Sequence, residues 1–93
     1  MKYVLAALIF VMPFVVQANN YDCDEMAQLA EVVMEARQNG APMRSIMEIA
    51  GDNQLARVIV IEAYDRSRFT TEEYKRMAIN DFSNDVYQIC LNL

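Results

Sequence analysis

Apolar positions along this 93-residue chain form one unbroken run at the start and four stripes at helical spacing after it. In the first stripe Cys23, Met26, Ala27, Ala30, Val33 and Met34 recur every three or four residues, which predicts a helix. Asp22 is placed to cap its free N–H groups, Asp24 and Glu25 suit its positive end, and Gln38-Asn39-Gly40 stops it. Pro42 suits the first turn of a short second helix, with Met43, Ile46, Met47 and Ala50 inward and Gly51 beyond its end.

A third helix is predicted from Asp52 or Asn53 to about Tyr64. Its centre, Val58-Ile59-Val60-Ile61, has the β-branched composition of a strand. Gln54-Leu55-Ala56-Arg57 and Glu62-Ala63 flank that centre without a turn signal, however, and a lone strand would have no partner. Apolar residues on nearly every side mark this as the most buried helix. The fourth helix opens at Thr70-Thr71-Glu72-Glu73, a capping-box spacing with Thr70 as cap and Glu73 reaching back. Phe69 and Tyr74 fit a hydrophobic staple across that start, and Tyr74, Ala78, Phe82, Val86 and Ile89 line one face with Met77 and Cys90 beside it.

The opening run reads differently. Lys2 is a positive start, Tyr3 to Val16 carries no charge, and Val16-Gln17-Ala18 has the residues a signal peptidase accepts. The run is shorter than the roughly 20 apolar residues a membrane span needs, and Pro13 interrupts it. Residues 1–18 are therefore predicted to be a cleavable signal peptide, leaving residues 19–93 as a single domain without a stable membrane anchor. The expected location is periplasmic or secreted.

Export brings Cys23 and Cys90 into an oxidising compartment, where an even pair is read first as a disulfide. A metal site or a reactive thiol is the alternative, but without histidine a four-ligand zinc site would need carboxylates to fill in. Helix parity favours the bond, because an even number of antiparallel helices returns Cys90 to the end where Cys23 began. The fold expected is all-α, a small four-helix bundle with one helix short, closed by a disulfide between the first and last helices.

Loss of Lys2 leaves seven basic against thirteen acidic side chains, a net charge of −6. That balance argues against nucleic acid and against anionic membrane surfaces, which both need clustered Lys and Arg. The absence of histidine excludes Ser–His and Cys–His nucleophile systems. Glu31 with Glu35, and Asp81 with Asp85, stand four residues apart and could hold a hard cation or act as acid and base. A solvated acidic face is the preferred reading of both pairs, and Asp52-Asn53-Gln54 lacks the later ligands of an EF-hand loop. No cofactor is expected.

Met26, Met43, Met47 and Met77 fall on predicted core stripes, whereas Met34 is the methionine most readily placed at the surface. The connection Asp65-Arg66-Ser67-Arg68-Phe69 places two arginines and an aromatic together in an acidic molecule. Arg66, Arg68 and Phe69 are the candidate partner-binding residues, since such side chains are enriched at binding hot spots. The competing reading makes Phe69 the staple and pairs the arginines with neighbouring acids.

Cys23, Met34-Glu35-Ala36-Arg37-Gln38-Asn39-Gly40, Met47-Glu48-Ile49-Ala50-Gly51, Thr71-Glu72-Glu73-Tyr74 and Cys90 give the mature chain a resemblance to a family. It resembles an uncharacterised group of short exported proteins from bacteria and their phages, for which no residue role is available to carry over. In size, export and cysteine pairing it is also similar in plan to periplasmic acid-stress chaperones and to phage periplasmic lysozyme inhibitors.

Three functions are expected in order. The first is a non-enzymatic binding protein whose partner is another exported protein, as an inhibitor of a basic target such as a lysozyme. The second is an acid-stress chaperone, responding through Asp and Glu because histidine is absent. The third is a metal-dependent enzyme using Asp81 and Asp85.

Overall fold

The computed structural model describes residues 22–93, and the expected signal peptide over residues 1–18 lies outside them. Among the described residues the chain is all-helical, with α1 over Cys23–Gln38, α2 over Met43–Ala50, α3 over Gln54–Tyr64 and α4 over Glu72–Leu91. The Cys23–Cys90 disulfide joins the first helix to the last across a Cα–Cα distance of 5.5 Å.

Local chemistry sets the boundaries. The Asp22 carboxylate accepts from the backbone N–H of Asp24 and Glu25 at 3.0 and 3.2 Å, which starts α1. Gly40 ends it with φ +91°: its N–H donates to the Arg37 carbonyl and the Ala41 N–H donates back to Ala36. That pair of bonds is the Schellman arrangement, in which the left-handed residue costs glycine least. Asn53 starts α3 by accepting from the Ala56 N–H at 3.0 Å.

The helix start at α4 differs from the expected one. Thr71, not Thr70, is the cap, and its hydroxyl accepts from the Tyr74 N–H at 3.2 Å. This one-residue shift puts Tyr74 at the third helical position, so Glu73 is out of register for a capping box. Contact between Phe69 and Tyr74 survives, with ring centroids 6.1 Å apart.

α1 is the central helix. It runs antiparallel to α4, tied at one end by the disulfide and further along by Ser83 Oγ, which donates to the Ala27 carbonyl at 3.0 Å. It runs parallel to α3, while α2 crosses between them. Ala30 and Ala63 are fully buried. Met34, Val60 and Phe82 fill the centre of the core.

Four burial expectations change. Met34 is 1 % exposed, because α1 turns that side into the junction of α3 and α4. Tyr74, Met77 and Ile89 are exposed instead of inward, since the disulfide turns the Cys90, Val86, Phe82 and Ile79 side of α4 towards α1. Met43 lies at the surface, while Ile46, Met47 and Ala50 are the residues of α2 packed against the core. Val58-Ile59-Val60-Ile61 is helical, yet Val58 and Ile61 are 53 % and 48 % exposed while Ile59 and Val60 are buried. A turn of about 100° per residue divides four consecutive apolar side chains between two faces, so α3 is not apolar-packed all round.

Candidate functional site

The connection from α3 to α4 carries Arg66, Arg68 and Phe69, and its geometry is set by Gln38, the last residue of α1. Gln38 is wholly buried. Its Nε2 donates to the Ser67 carbonyl at 2.8 Å, and its Oε1 accepts from the Phe69 N–H at 2.8 Å. The amide thus pairs with the connection as a strand would. Arg68 Nε donates to the Gln38 carbonyl at 3.2 Å, satisfying one of the acceptors that a helix end leaves open.

Arg37 holds the other end of the connection. Its Nη2 and Nε donate to the Arg66 carbonyl at 2.9 and 3.2 Å, and its guanidinium lies 5.3 Å from the Tyr64 ring centroid. Tyr64 donates its hydroxyl to the Ala41 carbonyl at 2.6 Å. Burial raises the Tyr64 pKa above its usual 10.0, and the Arg37 charge works in the opposite direction.

Arg66 Nη1 pairs with Asp85 Oδ2 at 3.0 Å, and the Arg66 guanidinium sits 4.8 Å from the Phe82 ring centroid. The two arginines singled out from the sequence therefore both make contacts within the chain. Phe69 stands at the surface between them, sharing one hollow with Arg68 and another with Arg66. The acidic pairs do not converge with other ligands: among the described residues no three Asp, Glu, Cys or His side chains group where they could hold a metal ion.

Two apolar depressions flank α3. Between α3 and α4 a groove of about 330 Å³ is floored by Met26, Ile59 and Phe82 and walled by Leu55, Val58 and Ile89. The Arg66–Asp85 pair and Glu62 lie along its rim. It exists because α3 and α4 each pack on α1 and meet each other little. On the opposite side, a hollow of about 300 Å³ lies between α1, α2 and α3.

Neither depression is readable from local sequence, because each depends on the spacing of helices. Gln38 left a fainter signal: it continues the Ala30–Met34 row by one more turn, where a polar residue has to find partners. No protein-family model, no curated protein and no solved structure matches the chain.

Proposed function

We propose that the chain is an exported, non-enzymatic binding protein that docks on another exported protein and inhibits it. The observation that carries this reading is the α3–α4 groove, where Val58 and Ile89 remain more than half exposed around an apolar floor. Exposed apolar surface with a polar rim is the usual anatomy of a protein contact. Glu62 on the rim, within a mature chain of net charge −6, favours a partner with basic residues around an apolar projection. The Cys23–Cys90 disulfide supports an oxidising compartment, and among the described residues no helix is long and apolar enough to cross a membrane.

The test is capture from periplasmic extract by the wild-type chain and by Val58→Lys, alongside a lysozyme inhibition assay. A partner retained by the wild type and lost by the variant supports the reading, as does inhibition that the variant abolishes. Equal capture by both forms without inhibition would overturn it.

A second reading, an acid-stress chaperone, draws on the same exposed apolar groove, which would receive a client. Light scattering of a client protein at about pH 2–3, below the ordinary carboxylate range, decides. Failure to suppress aggregation there removes this reading.

A further inference from the structure

We propose that the hollow between the α3–α4 connection and the first turn of α4 binds a doubly charged oxyanion, inorganic phosphate or a phosphate monoester, held by Arg68, Lys75 and the Thr70 hydroxyl.

The first ground is Lys75. It continues the inward row of α4, Cys90, Val86, Phe82 and Ile79, by one more turn, so a charge stands where the pattern calls for an apolar residue. Its side chain is only 19 % exposed, and a covered stem restricts where the ammonium can go. The one carboxylate within reach among the described residues is Glu72, 4.0 Å away and 84 % exposed. That distance is too long for a hydrogen bond, and Lys75 Nζ makes none to any described residue. Its three N–H donors are left to face the hollow of about 310 Å³ that Lys75 lines with Arg68, Phe69 and Thr70.

The second ground is Arg68, which is fixed from behind. Its Nε donates to the Gln38 carbonyl at 3.2 Å, and its Nη2 lies so close to Gly40 that a Cβ there would come within 2.8 Å. The four N–H donors on its two Nη atoms have no acceptor among the described residues. Thr70 gives up the helix cap to Thr71, and its hydroxyl is likewise without a partner among the described residues. A held guanidinium fork beside an ammonium is the donor set that recognises phosphate.

Charge selects the class of ligand. No carboxylate lines this hollow, although the chain carries thirteen. Two positive charges are matched by a dianion, whereas a monoanion leaves one of them over. Lys75 is shared with a neighbouring hollow lined by Glu35, Glu72 and Arg76, so Glu72 is the internal competitor for the ammonium. A solvated carboxylate at 4.0 Å holds it weakly, and a phosphate oxygen at hydrogen-bonding distance displaces it. Phe69, 40 % exposed, supplies an apolar wall on which the carrier of a phosphate monoester can lie.

The experiment is an amide NMR titration of the disulfide-bonded mature chain with sodium phosphate, phenyl phosphate and sodium acetate at about pH 7.5, where a phosphate monoester carries nearly two charges. The expected result is saturable shifts at Phe69, Thr70 and Lys75 with a Kd of about 1 mM or tighter for the phosphates. Raising NaCl from about 0.05 M to about 0.5 M should weaken the binding. Lys75→Met keeps the covered stem and removes the charge, and should raise Kd at least about tenfold. Arg68→Gln should do the same, while Arg57→Gln, at the start of α3, leaves Kd unchanged. Circular dichroism verifies that each variant is folded, and Lys75→Met carries the test if Arg68→Gln is not. Tighter binding of phenyl phosphate than of phosphate assigns the site to a monoester lying on Phe69, and equal binding assigns it to the free anion. The absence of saturable shifts up to about 20 mM overturns the proposal. So does acetate binding as tightly as phosphate, or a Kd that Lys75→Met leaves unchanged. None of these results bears on capture through the α3–α4 groove, and Val58→Lys should bind phosphate as the wild type does.

Discussion

Gln38 Oε1 accepts the Phe69 N–H at 2.8 Å, linking the last residue of α1 to a residue 31 positions later through a fully buried side chain. The same amide donates to Ser67, so one side chain fixes both carbonyl and N–H groups of the α3–α4 connection. Removing it leaves those groups to find other partners and opens space beside Met34. Gln38→Ala should cost about 2–3 kcal/mol, the range for losing a buried hydrogen-bonding side chain. For a domain of this size that is a fall of roughly 10–20 °C in Tm. Gln38→Met, which keeps the volume and loses the bonds, should fall nearly as far in the same calorimetric scan. A Gln38→Met variant melting with the wild type would show that packing, not pairing, is what matters there.

The disulfide has a separate role, since it constrains the unfolded chain across a sequence separation of 67. In the loop-closure account that contributes roughly 4 kcal/mol, comparable with the whole stability of many small domains. Replacing Cys23 and Cys90 together by serine should lower Tm by tens of degrees or leave no folded state at 37 °C. Mass spectrometry of the oxidised chain should show it lighter by two hydrogens than the reduced form. Full alkylation of both thiols without prior reduction would remove the bond and this expectation with it.

How far the sequence discloses the fold differs from residue to residue. Asp22, Asn53, Gly40 and Gly51 act locally, through caps and stops within a few residues, and each marks its boundary as expected. The cysteine pair was legible because helix parity constrains it. The rotation of α4 was not, because Met77 and Ile89 are as apolar as Ile79 and Val86, which turn inward, and packing against α1 decides between them. Arg66 and Arg68 stand out in an acidic chain, but their partners, Asp85 and the Gln38 carbonyl, are 19 and 30 positions away. No local pattern separates an arginine held by a distant element from one free to meet another molecule.

Tyr64 gives the fold an alkaline limit with a definite sign. Burial raises its pKa in the folded chain above the usual 10.0, so the folded state keeps the phenolic proton to higher pH than the unfolded state does. Its contribution is present in full below about pH 10 and is lost as pH rises through the folded value. Ionisation also ends the donation to the Ala41 carbonyl, which anchors the α1–α2 connection. Urea midpoints measured from neutral pH upward should fall above about pH 10, and less steeply in Tyr64→Phe, which has no proton there to lose. Parallel declines in the two proteins would assign the alkaline loss to other groups.

Arg66 makes two contacts of different kind, and their magnitudes can be separated by substitution. The Asp85 pair is partly solvated, with side-chain exposures of 38 % and 49 %, so it falls in the range of surface ion pairs at about 0–1 kcal/mol. The stack on Phe82 faces a ring that is 1 % exposed, where a guanidinium contributes about 0.5–2 kcal/mol, and its methylene stem covers apolar surface besides. Asp85→Asn should therefore be nearly silent in a denaturant melt, whereas Arg66→Ala should cost about 1–2 kcal/mol. Arg66→Lys keeps the charge but lacks the planar face, so it should fall between them. Raising salt to about 1 M, where the Debye length is about 3 Å, should erase what remains of the Asp85→Asn effect and leave most of the Arg66→Ala effect. If Asp85→Asn costs as much as Arg66→Ala, the ion pair and not the stack secures this end of the groove.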